Sequence, residues 1–348
     1  MHVLRRIGAG TTWLVLLVAI ATPLAAQEVG EAARIVLHAG APFDGPIVLT
    51  HPGVGTPPER ADGAQRAAEA ALQALRAGRS ALDAAVAGTV VMEDDPRYNA
   101  GTGANIRLDG RTIQMDAALM TGKGRFAAVA VIERVRNPIR VVHKVLDTPH
   151  LLLAGEGATR FAHRMGFADV IPTCAEAEEK YRRRVARVRE ALAQGADEFD
   201  WPAHWNFPNP LPETLRDLAE GGDTVGTVVR AADGTFAATL STGGTSITLH
   251  GRVGDVPIFG AGLYAGAHGA VACTGHGEEI IRHAMARQVY ERIATGSAAA
   301  RAVREAAESF PSESSLGVIA LDRHGWGVVA NRQMGYGLAG PAPVEGQE

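Results

Sequence analysis

The sequence predicts a layered α+β fold in which neighbouring strands run antiparallel. Residues 104–132 are apolar or alternating in short pieces, which Asp109-Gly110 and Gly122-Lys123-Gly124 interrupt as hairpin turns would. Thr224 to Leu240 forms two further β runs around Asp233-Gly234. Because tight turns join antiparallel strands, whereas parallel strands need long crossovers, this pattern disfavours a Rossmann arrangement.

The first part of the chain has a short strand followed by two helices. Arg34 to His38 has the apolar run of a short buried strand, and Glu59 to Arg79 is Ala-rich with helical spacing. Ser80, followed three residues later by Asp83, has the form of an N-cap and predicts a second helix through Val91.

A charged helix and a linker are predicted next. Thr173 with Glu176 is a capping box, which predicts a helix from Ala175 to about Gln194. Residues 195–222 are rich in proline and show little periodicity, so we expect a linker or exposed loop there.

The last third returns to strands and helices. Ala270 to Thr274 predicts a strand, Glu278 to Ala294 a helix, and 297–309 another helix. Leu316–Asp322 and Gly325–Ala330 predict two final strands. Helical stretches on either side of the strand sets are what a layered α+β protein requires.

Composition excludes several classes of protein. The 348 residues are 46% hydrophobic, so the chain is not disordered, and its 41 glycines follow no triplet repeat as in collagen. With 34 basic against 38 acidic residues there is no positive excess for a phosphate backbone, so no nucleic-acid partner is expected. Cys174 and Cys273 are too few for a disulfide framework; we expect small buried hydrophobes, with a single bridge as the alternative.

Residues 1–26 are predicted to be a signal peptide. Arg5 and Arg6 precede an apolar run from Thr12 to Ala21, and small residues lead to a cleavage point after Ala26. An uncleaved anchor and a buried helix are the alternatives, but about ten apolar residues are short for a bilayer span. The mature chain would begin at Gln27, be exported to the periplasm or secreted, and have no membrane contact.

The chemistry concentrates in residues 221–277, which contain 14 glycines. Such glycines let main-chain N–H groups approach a ligand, although they could serve only as turn formers. Arg252 can hold a carboxylate through two parallel hydrogen bonds and Asp255 can accept from an ammonium group, so the pair fits an α-amino acid. The window lacks a P-loop lysine, and the chain has neither His-Glu-x-x-His nor Gly-x-Ser-x-Gly.

Further motifs extend along nearly the whole mature chain. In order they are Met92-Glu93, Asn99-Ala100-Gly101-Thr102-Gly103-Ala104, Asp109-Gly110, Met115-Asp116-Ala117, Asn137-Pro138-Ile139, Thr148-Pro149-His150, Asp223-Thr224-Val225-Gly226, Ser241-Thr242-Gly243-Gly244, Gly251-Arg252-Val253-Gly254-Asp255-Val256-Pro257 and Gly260-Ala261-Gly262-Leu263-Tyr264-Ala265. Together they resemble the plant-type asparaginase, isoaspartyl peptidase and glycosylasparaginase family of threonine N-terminal nucleophile hydrolases. The resemblance covers residues 34–335 and implies a four-layer αββα sandwich acting on a small-molecule or dipeptide substrate.

The resemblance implies that the precursor cuts itself between Asp223 and Thr224, giving chains 27–223 and 224–348. The freed α-amine of Thr224, with an ordinary pKa of about 7.7–8.0, would act as general base for its own hydroxyl. The 195–222 linker would move away after the cut, and two αβ pairs would associate as a dimer of heterodimers, a heterotetramer.

The family match also implies roles for the remaining site residues. These are Thr242 holding the hydroxyl or amine of Thr224, Asn99 beside Thr224, Thr274 with the Gly275 N–H as oxyanion hole, Arg252 on the substrate α-carboxylate, Asp255 on its α-ammonium group, and the Gly277 carbonyl assisting. No cofactor is implied for catalysis. A structural Na⁺ is implied, held by the main-chain carbonyls of Met92, Glu93, Asp95, Tyr98, Ala100 and Thr102.

Plainer alternatives exist for several of these residues. Thr242 and Thr274 could be ordinary β-strand threonines, and the glycine-flanked Arg252 and Asp255 could pair with each other on a surface loop. Asn99 could be a left-handed turn residue.

Three features near the site match no required role. His276 stands between glycines where the motif needs no ionisable group, and is interpreted as a bystander. Glu278 is interpreted as a carboxylate that stabilises a helix N-terminus. The family's early strand ends in His-Gly-Gly-Ala-Gly, whereas this chain has His38-Ala39-Gly40-Ala41-Pro42, which puts the main-chain path near the site and the processing rate in doubt.

The motifs that separate the branches of the family disagree. Asp223 before the threonine is reminiscent of glycosylasparaginases, whereas Ser241-Thr242-Gly243-Gly244 resembles the isoaspartyl peptidase and asparaginase branch. We favour an autoprocessing threonine amidohydrolase that cleaves β-aspartyl (isoaspartyl) peptides and L-asparagine. The alternatives are a glycosylasparaginase that cleaves the GlcNAc–asparagine bond, and an uncleaved periplasmic amino-acid binder without catalysis.

Overall fold

Two β-sheets face each other in the computed structural model, which describes residues 35–40, 45–193 and 224–340. The strands are β1 (Val36–Gly40), β2 (Ile47–His51), β3 (Met115–Thr121), β4 (Phe126–Ile132), β5 (Leu152–Ala154), β6 (Val225–Arg230), β7 (Phe236–Thr242), β8 (Leu263–Gly266), β9 (Gly269–Gly275), β10 (Leu316–Asp322), β11 (Trp326–Ala330) and β12 (Gly337–Ala339). One sheet has the order β12-β2-β6-β7-β3-β4-β5 and the other β1-β11-β10-β9-β8. All neighbours are antiparallel except β4 and β5, as the hairpin signals predict.

Helices cover the outer face of each sheet. They are α1 (Ala61–Arg76), α2 (Ala81–Asp94), α3 (Pro138–Val145), α4 (Gly155–Arg164), α5 (Ala175–Ala193), α6 (Gly277–Arg282), α7 (Met285–Ala294) and α8 (Ala299–Glu308). Helices α1 to α4 pack on the seven-stranded sheet, while α7 and α8 pack on the five-stranded sheet. The result is the four-layer αββα sandwich, so the predicted fold class is confirmed.

Side-chain alternation divides the core into layers. In β2, Ile47 and Leu49 belong to the apolar core between the sheets, whereas Val48 belongs to the core under α1 and α2. Successive strand residues point to opposite faces, and here both faces are covered. Many of the buried residues are Ala and Val, which lets the four layers approach closely despite an aromatic fraction of only 5%.

Local signals predicted several elements correctly. The Ala-rich helix is α1, the hairpin around Asp233-Gly234 is β6–β7, and the two final strands are β10 and β11. Ser80 caps α2, because its Oγ accepts a hydrogen bond from the Asp83 N–H at 3.1 Å. The helix continues to Asp94, three residues beyond the predicted end.

Three element predictions are wrong. Residues 104–114, predicted to begin the antiparallel strand pieces, form no strand, although the Arg107 N–H donates to the Thr112 carbonyl at 2.8 Å across the Asp109-Gly110 turn. The strand at β1 is not buried: Val36 is 44% exposed, because β1 is the edge strand of its sheet. The single helix predicted for 278–294 is two helices, since Ala284 adopts a left-handed φ of 44°. The break lets the Ala286 and Arg287 N–H groups bond the carbonyls of residues 261 and 260, so tertiary hydrogen bonds override helical continuity.

Several predictions can be placed only in part. The signal peptide, the 195–222 linker and Asp223 lie outside the described residues. Cys174 and Cys273 are both free, so the alternative of a bridge is excluded. Within the described ranges, no helix has the length and apolar character needed to cross a bilayer.

Candidate active site

Hydroxyl side chains end the apolar layer between the two sheets. In β7 Leu240 lies in the inter-sheet core, and Thr242 is the next residue on that face. In the facing sheet, Ala272 lies in the same core and is followed on its face by Thr274. Both threonines are buried, at 3% and 0% exposure. The alternation therefore brings two hydroxyls to the same end of facing strands.

Thr224 lies at this same end, directly before β6. In the β6–β7 ladder Val225 is opposite Ser241, so extending the register by one residue puts Thr224 opposite Thr242. Side chains directly opposed on antiparallel strands begin about 4.5–5.5 Å apart, which allows their hydroxyls to interact. Thr224 is buried, at 5% exposure.

Asn99 is bonded to the loop that follows Thr242. Its Nδ2 donates to the Gly244 carbonyl at 2.7 Å, and its own carbonyl accepts from the Gly243 N–H at 2.9 Å. A Cβ on Gly243 would come within 2.5 Å of Asn99 Oδ1, so glycine is needed for this close approach. The φ of Asn99 is not positive, so the left-handed turn interpretation is wrong.

Thr274 joins the end of β9 to the loop that follows β2. Its Oγ accepts a hydrogen bond from the Val54 N–H at 3.3 Å. Gly275 ends the strand, and the adjacent His276 N–H donates to the Ser315 carbonyl at 2.8 Å. The His276 ring is bonded to a second neighbour, with Nδ1 2.9 Å from Ser314 Oγ.

Arg252, Asp255 and Gly277 form one subsite. A Cβ at Gly277 would lie 2.9 Å from Arg252 Nη2 and 3.0 Å from Asp255 Oδ1, so the side chains flank this glycine. The interpretation as a mutual surface pair is wrong for two reasons. Arg252 pairs with Glu278, through Nε–Oε1 at 2.9 Å and Nη2–Oε2 at 2.8 Å, and only 16% of its side chain is exposed.

Asp255 is a buried carboxyl with an oxygen available to a ligand. Its Oδ2 is buried and has no hydrogen-bond partner. Burial raises the pKa of Asp255 to about 7, although the charge of Arg252 opposes this. A cation placed beside this carboxyl would restore its ionised form and supply the missing partner.

Two further buried charged residues, Arg107 and Asp116, lie beside this subsite. Arg107 Nη2 donates to the Arg252 carbonyl at 3.1 Å, and Asp116 lies opposite Thr242 in the β3–β7 ladder. Burial lowers the pKa of Arg107 to about 10 and raises the pKa of Asp116, each opposed by the other's charge. Sequence analysis identifies Asp116 only as part of the Met115-Asp116-Ala117 motif, with no role in the site.

The expectation that His38-Ala39-Gly40-Ala41-Pro42 is the family's early strand near the site is wrong. Its described part, β1, pairs with β11 at the edge of the five-stranded sheet. The strand beside β6 is β2, which places His51 opposite Gly226 and is followed by Pro52-Gly53-Val54-Gly55. This segment keeps the histidine and two of the glycines of the family pattern. The spacing His-x-Gly-x-Gly could have identified it from sequence.

His51 is therefore a site residue that the sequence analysis missed. The ring is fully buried between the sheets, and neither ring nitrogen has a hydrogen-bond partner. Burial lowers the pKa of His51 to about 3, opposed by the nearby Thr224 main chain. The imidazole is accordingly neutral and adds no positive charge beside Thr224.

The predicted sodium loop follows the last turn of α2. Met92 and Glu93 lie in that last turn, and the loop after the helix contains the other four candidates, Asp95, Tyr98, Ala100 and Thr102. Two glycines lie against its carbonyls: a Cβ on Gly103 would come within 2.5 Å of the Pro96 oxygen, and one on Gly101 would meet the Glu93 oxygen. Main-chain carbonyl oxygens are a ligand type that a hard cation such as Na⁺ prefers.

The structure thus gathers most of the predicted site residues at one end of the sandwich. Thr224, Thr242 and Asn99 lie on the seven-stranded sheet and its loops, while Thr274 and Gly275 end β9 on the facing sheet. Next to these threonines lies the subsite of Arg252, Asp255 and Gly277. Asp255 Oδ2 and the Leu240 side chain, two residues before Thr242, are each 2.9 Å from the Cβ position of Gly262. Asp223 lies outside the described residues.

Comparison with known proteins identifies the family of the chain. The family model Asparaginase_2, described as asparaginase, matches residues 35–339. A plant-type L-asparaginase from Pyrococcus abyssi is 38% identical over 293 residues, covering 80% of this chain and 90% of the relative. An isoaspartyl peptidase from Salmonella typhimurium is 36% identical, covering 80% and 87%. An isoaspartyl peptidase/L-asparaginase from Mus musculus is 36% identical, covering 71% and 69%. The chain therefore belongs to the Asparaginase_2 family and is a hydrolase of the isoaspartyl peptidase/L-asparaginase kind.

Proposed function

We propose that this chain is an autoprocessing threonine amidohydrolase that cleaves β-aspartyl peptides and L-asparagine. The observation that carries the proposal is the position of Thr224, at the start of β6 and opposite Thr242, beside a subsite with a guanidinium group and a buried carboxyl. These two groups are complementary to the two charged ends of an α-amino acid. The relatives named above carry activities of this class in their names.

Self-cleavage would create the catalytic base. In the precursor the nitrogen of Thr224 is an amide and cannot accept a proton. Attack of Thr224 Oγ on the Asp223 carbonyl carbon would transfer the acyl group from N to O, and water would then hydrolyse the ester. The products would be the Asp223 carboxylate and a free amine on Thr224, which is basic near neutral pH.

Hydrolysis of the substrate would use the same hydroxyl. The Thr224 amine would take the hydroxyl proton while Oγ attacks the β-carbonyl carbon, and the leaving amine or ammonia would receive that proton. Thr274 and the Gly275 N–H would stabilise the oxyanion, a contribution typically worth about 10²–10³ in rate per donor. Water would then cleave the acyl–threonine ester and release aspartate.

Recognition of the substrate would depend on charge. Arg252 would bind the α-carboxylate and the Asp255 carboxylate the α-ammonium group, with the Gly277 carbonyl as a further acceptor. The ammonium group would favour ionised Asp255, so substrate binding offsets the cost of the buried negative charge. Thr242 and Asn99 would hold the attacking threonine.

Removing the nucleophile should stop both reactions. We expect Thr224→Ala to remain a single chain on a denaturing gel and to lose amidase activity by at least about 10³-fold. The wild type should give two fragments that meet at residue 224, and its native mass should correspond to two αβ pairs. An intact wild-type chain without amidase activity would instead favour the uncleaved amino-acid binder.

Substrate preference should separate the two enzymatic candidates. We expect the purified protein to release leucine from β-Asp-Leu and ammonia from L-asparagine. A parallel assay with GlcNAc-asparagine tests for glycosylasparaginase activity, which the Asp223-Thr224 junction suggests. Activity on GlcNAc-asparagine alone contradicts the proposed preference, and Thr224→Ala serves as the blank in each assay.

Ionisation of the Asp255 carboxyl should lower the free energy of unfolding at high pH. Its folded-state pKa of about 7 is above the ordinary value, so its contribution to stability is fully present below about pH 4 and is lost as the pH rises through 7. We expect Asp255→Asn to be more stable than wild type at pH 8 in urea denaturation. The advantage should grow by up to about 1.4 kcal/mol per pH unit between pH 4 and 7. Exposed Asp147→Asn is the control, and a difference independent of pH contradicts the assignment.

A structural Na⁺ in the 92–102 loop is the remaining part of the proposal. The six carbonyls would hold it, and its role would be to fix the loop that carries Asn99. We expect replacement of NaCl by choline chloride at equal ionic strength to lower Tm by about 2–4 °C or more. Gly101→Ala, which places a Cβ against the Glu93 oxygen, should lose this dependence. Equal Tm values in both salts for the wild type contradict the site.

A further inference from the structure

Arg252 and Asp255 share a subsite but do not pair with each other. Arg252 Nη2 and Asp255 Oδ1 lie 2.9 and 3.0 Å from the same point, the Cβ position of Gly277, so they are less than 6 Å apart. Among the ion pairs of the described ranges, Arg252 instead pairs with Glu278. Oppositely charged groups so close, in a largely buried subsite, would attract each other strongly. Something must keep them apart.

Glu278 occupies one edge of the Arg252 guanidinium. Its Oε1 accepts from Nε at 2.9 Å and its Oε2 from Nη2 at 2.8 Å, which is the bidentate geometry of a strong charge-assisted pair. Both Nη1 hydrogens and the second Nη2 hydrogen remain for another acceptor. Nη1 lies beside Gly254, whose Cβ position is 2.9 Å away, so a glycine at this position leaves room for that end of the group.

Glu278 is itself held from the other side. Its Oε2 is 3.6 Å from His276 Nε2, and the His276 ring is fixed by the contact of its Nδ1 with Ser314. Partial burial opposes ionisation of Glu278, but the hydrogen bonds and charge of Arg252 hold its pKa below the usual value. The carboxylate is therefore charged when it pairs with Arg252.

We propose that Glu278 is a positioning residue that holds Arg252 away from Asp255, so that both groups remain open to the two ends of an α-amino acid. The inference rests on the function proposed above for Arg252 and Asp255. Glu278 would touch neither end of the substrate. Without it, the guanidinium would turn to the unpaired Asp255 Oδ2 and close the subsite by a mutual ion pair.

The proposal predicts a loss of affinity, although one negative charge is removed. Glu278→Gln and Glu278→Ala should each weaken L-aspartate binding in calorimetry by about tenfold or more, the size of one hydrogen bond to a charged group. KM for β-Asp-Leu should rise by a similar factor with kcat little changed, and self-cleavage should be complete. Glu279→Gln, on the same helix but paired with Arg282, is the matched control. Unchanged or tighter L-aspartate binding in the Glu278 variants overturns the proposal.

A double-mutant cycle identifies the mechanism. Succinate keeps the carboxylates of aspartate but lacks the ammonium group, so its affinity depends on Arg252 without the contact between the ammonium group and Asp255. In an Asp255→Asn background the carboxylate to which Arg252 would turn is absent, and Glu278→Gln should change succinate affinity by no more than about twofold. With Asp255 present, the same change should weaken succinate binding as it weakens L-aspartate binding. An equal loss in both backgrounds overturns the proposal.

The same experiments separate this inference from the function on which it rests. Arg252→Ala should abolish L-aspartate binding if the subsite is assigned correctly. If Arg252→Ala has no effect, the proposed subsite is wrong. If Arg252→Ala abolishes binding while Glu278→Gln has no effect, only the role of Glu278 is wrong.

Discussion

Burial of both faces of the central strands is the constraint on which the rest of the molecule depends. Because each face of β6, β7 and β9 lies against another layer, the alternation of side chains cannot slip by one residue without placing polar groups in an apolar core. The same alternation that directs Leu240 and Ala272 into the inter-sheet core directs Thr242 and Thr274 to its end. The site is thus a continuation of the core pattern with hydroxyls in place of methyl groups.

Charge in the site is organised by the same burial. Arg252, Asp255, Asp116 and Arg107 lie where water screens them little, so each must be compensated by a neighbour or stay neutral. The charge of Arg252 is compensated by Glu278, and Arg107 donates a hydrogen bond to the main-chain carbonyl of Arg252. Asp255, in contrast, has one carboxyl oxygen without a hydrogen-bond partner. An unpaired buried carboxyl is costly in a structural core. Its presence beside a fixed guanidinium is understandable in a site that binds a zwitterion.

What could be predicted from the sequence was local or carried by a long series of motifs. The Ser80 cap and the Asp233-Gly234 hairpin depend on residues within a few positions of each other, and both were predicted correctly. The strand next to β6 depends on pairing across more than 170 residues, and two segments that precede α1 contain a histidine followed by glycines. Sequence analysis assigns the family histidine to His38, whereas the strand pairing places His51 beside β6. The break at Ala284 was missed for the same reason, since its cause lies in the loop at 260–261.

The Gly277-Glu278 dipeptide shows why the contact of Glu278 with Arg252 could not be predicted from neighbouring residues, although Glu278 does lie in the first turn of a helix as predicted. As a carboxylate in the first turn of α6 it has an adequate local explanation, the helix dipole, and nothing nearby in sequence points to Arg252, 26 positions earlier. In the folded chain the two residues act on the same guanidinium. Gly277 leaves the space between Arg252 and Asp255, and Glu278 holds Arg252 at the far side of that space. The distance between Arg252 and Asp255 therefore depends on the missing side chain of Gly277 and on the ion pair that Glu278 makes with Arg252.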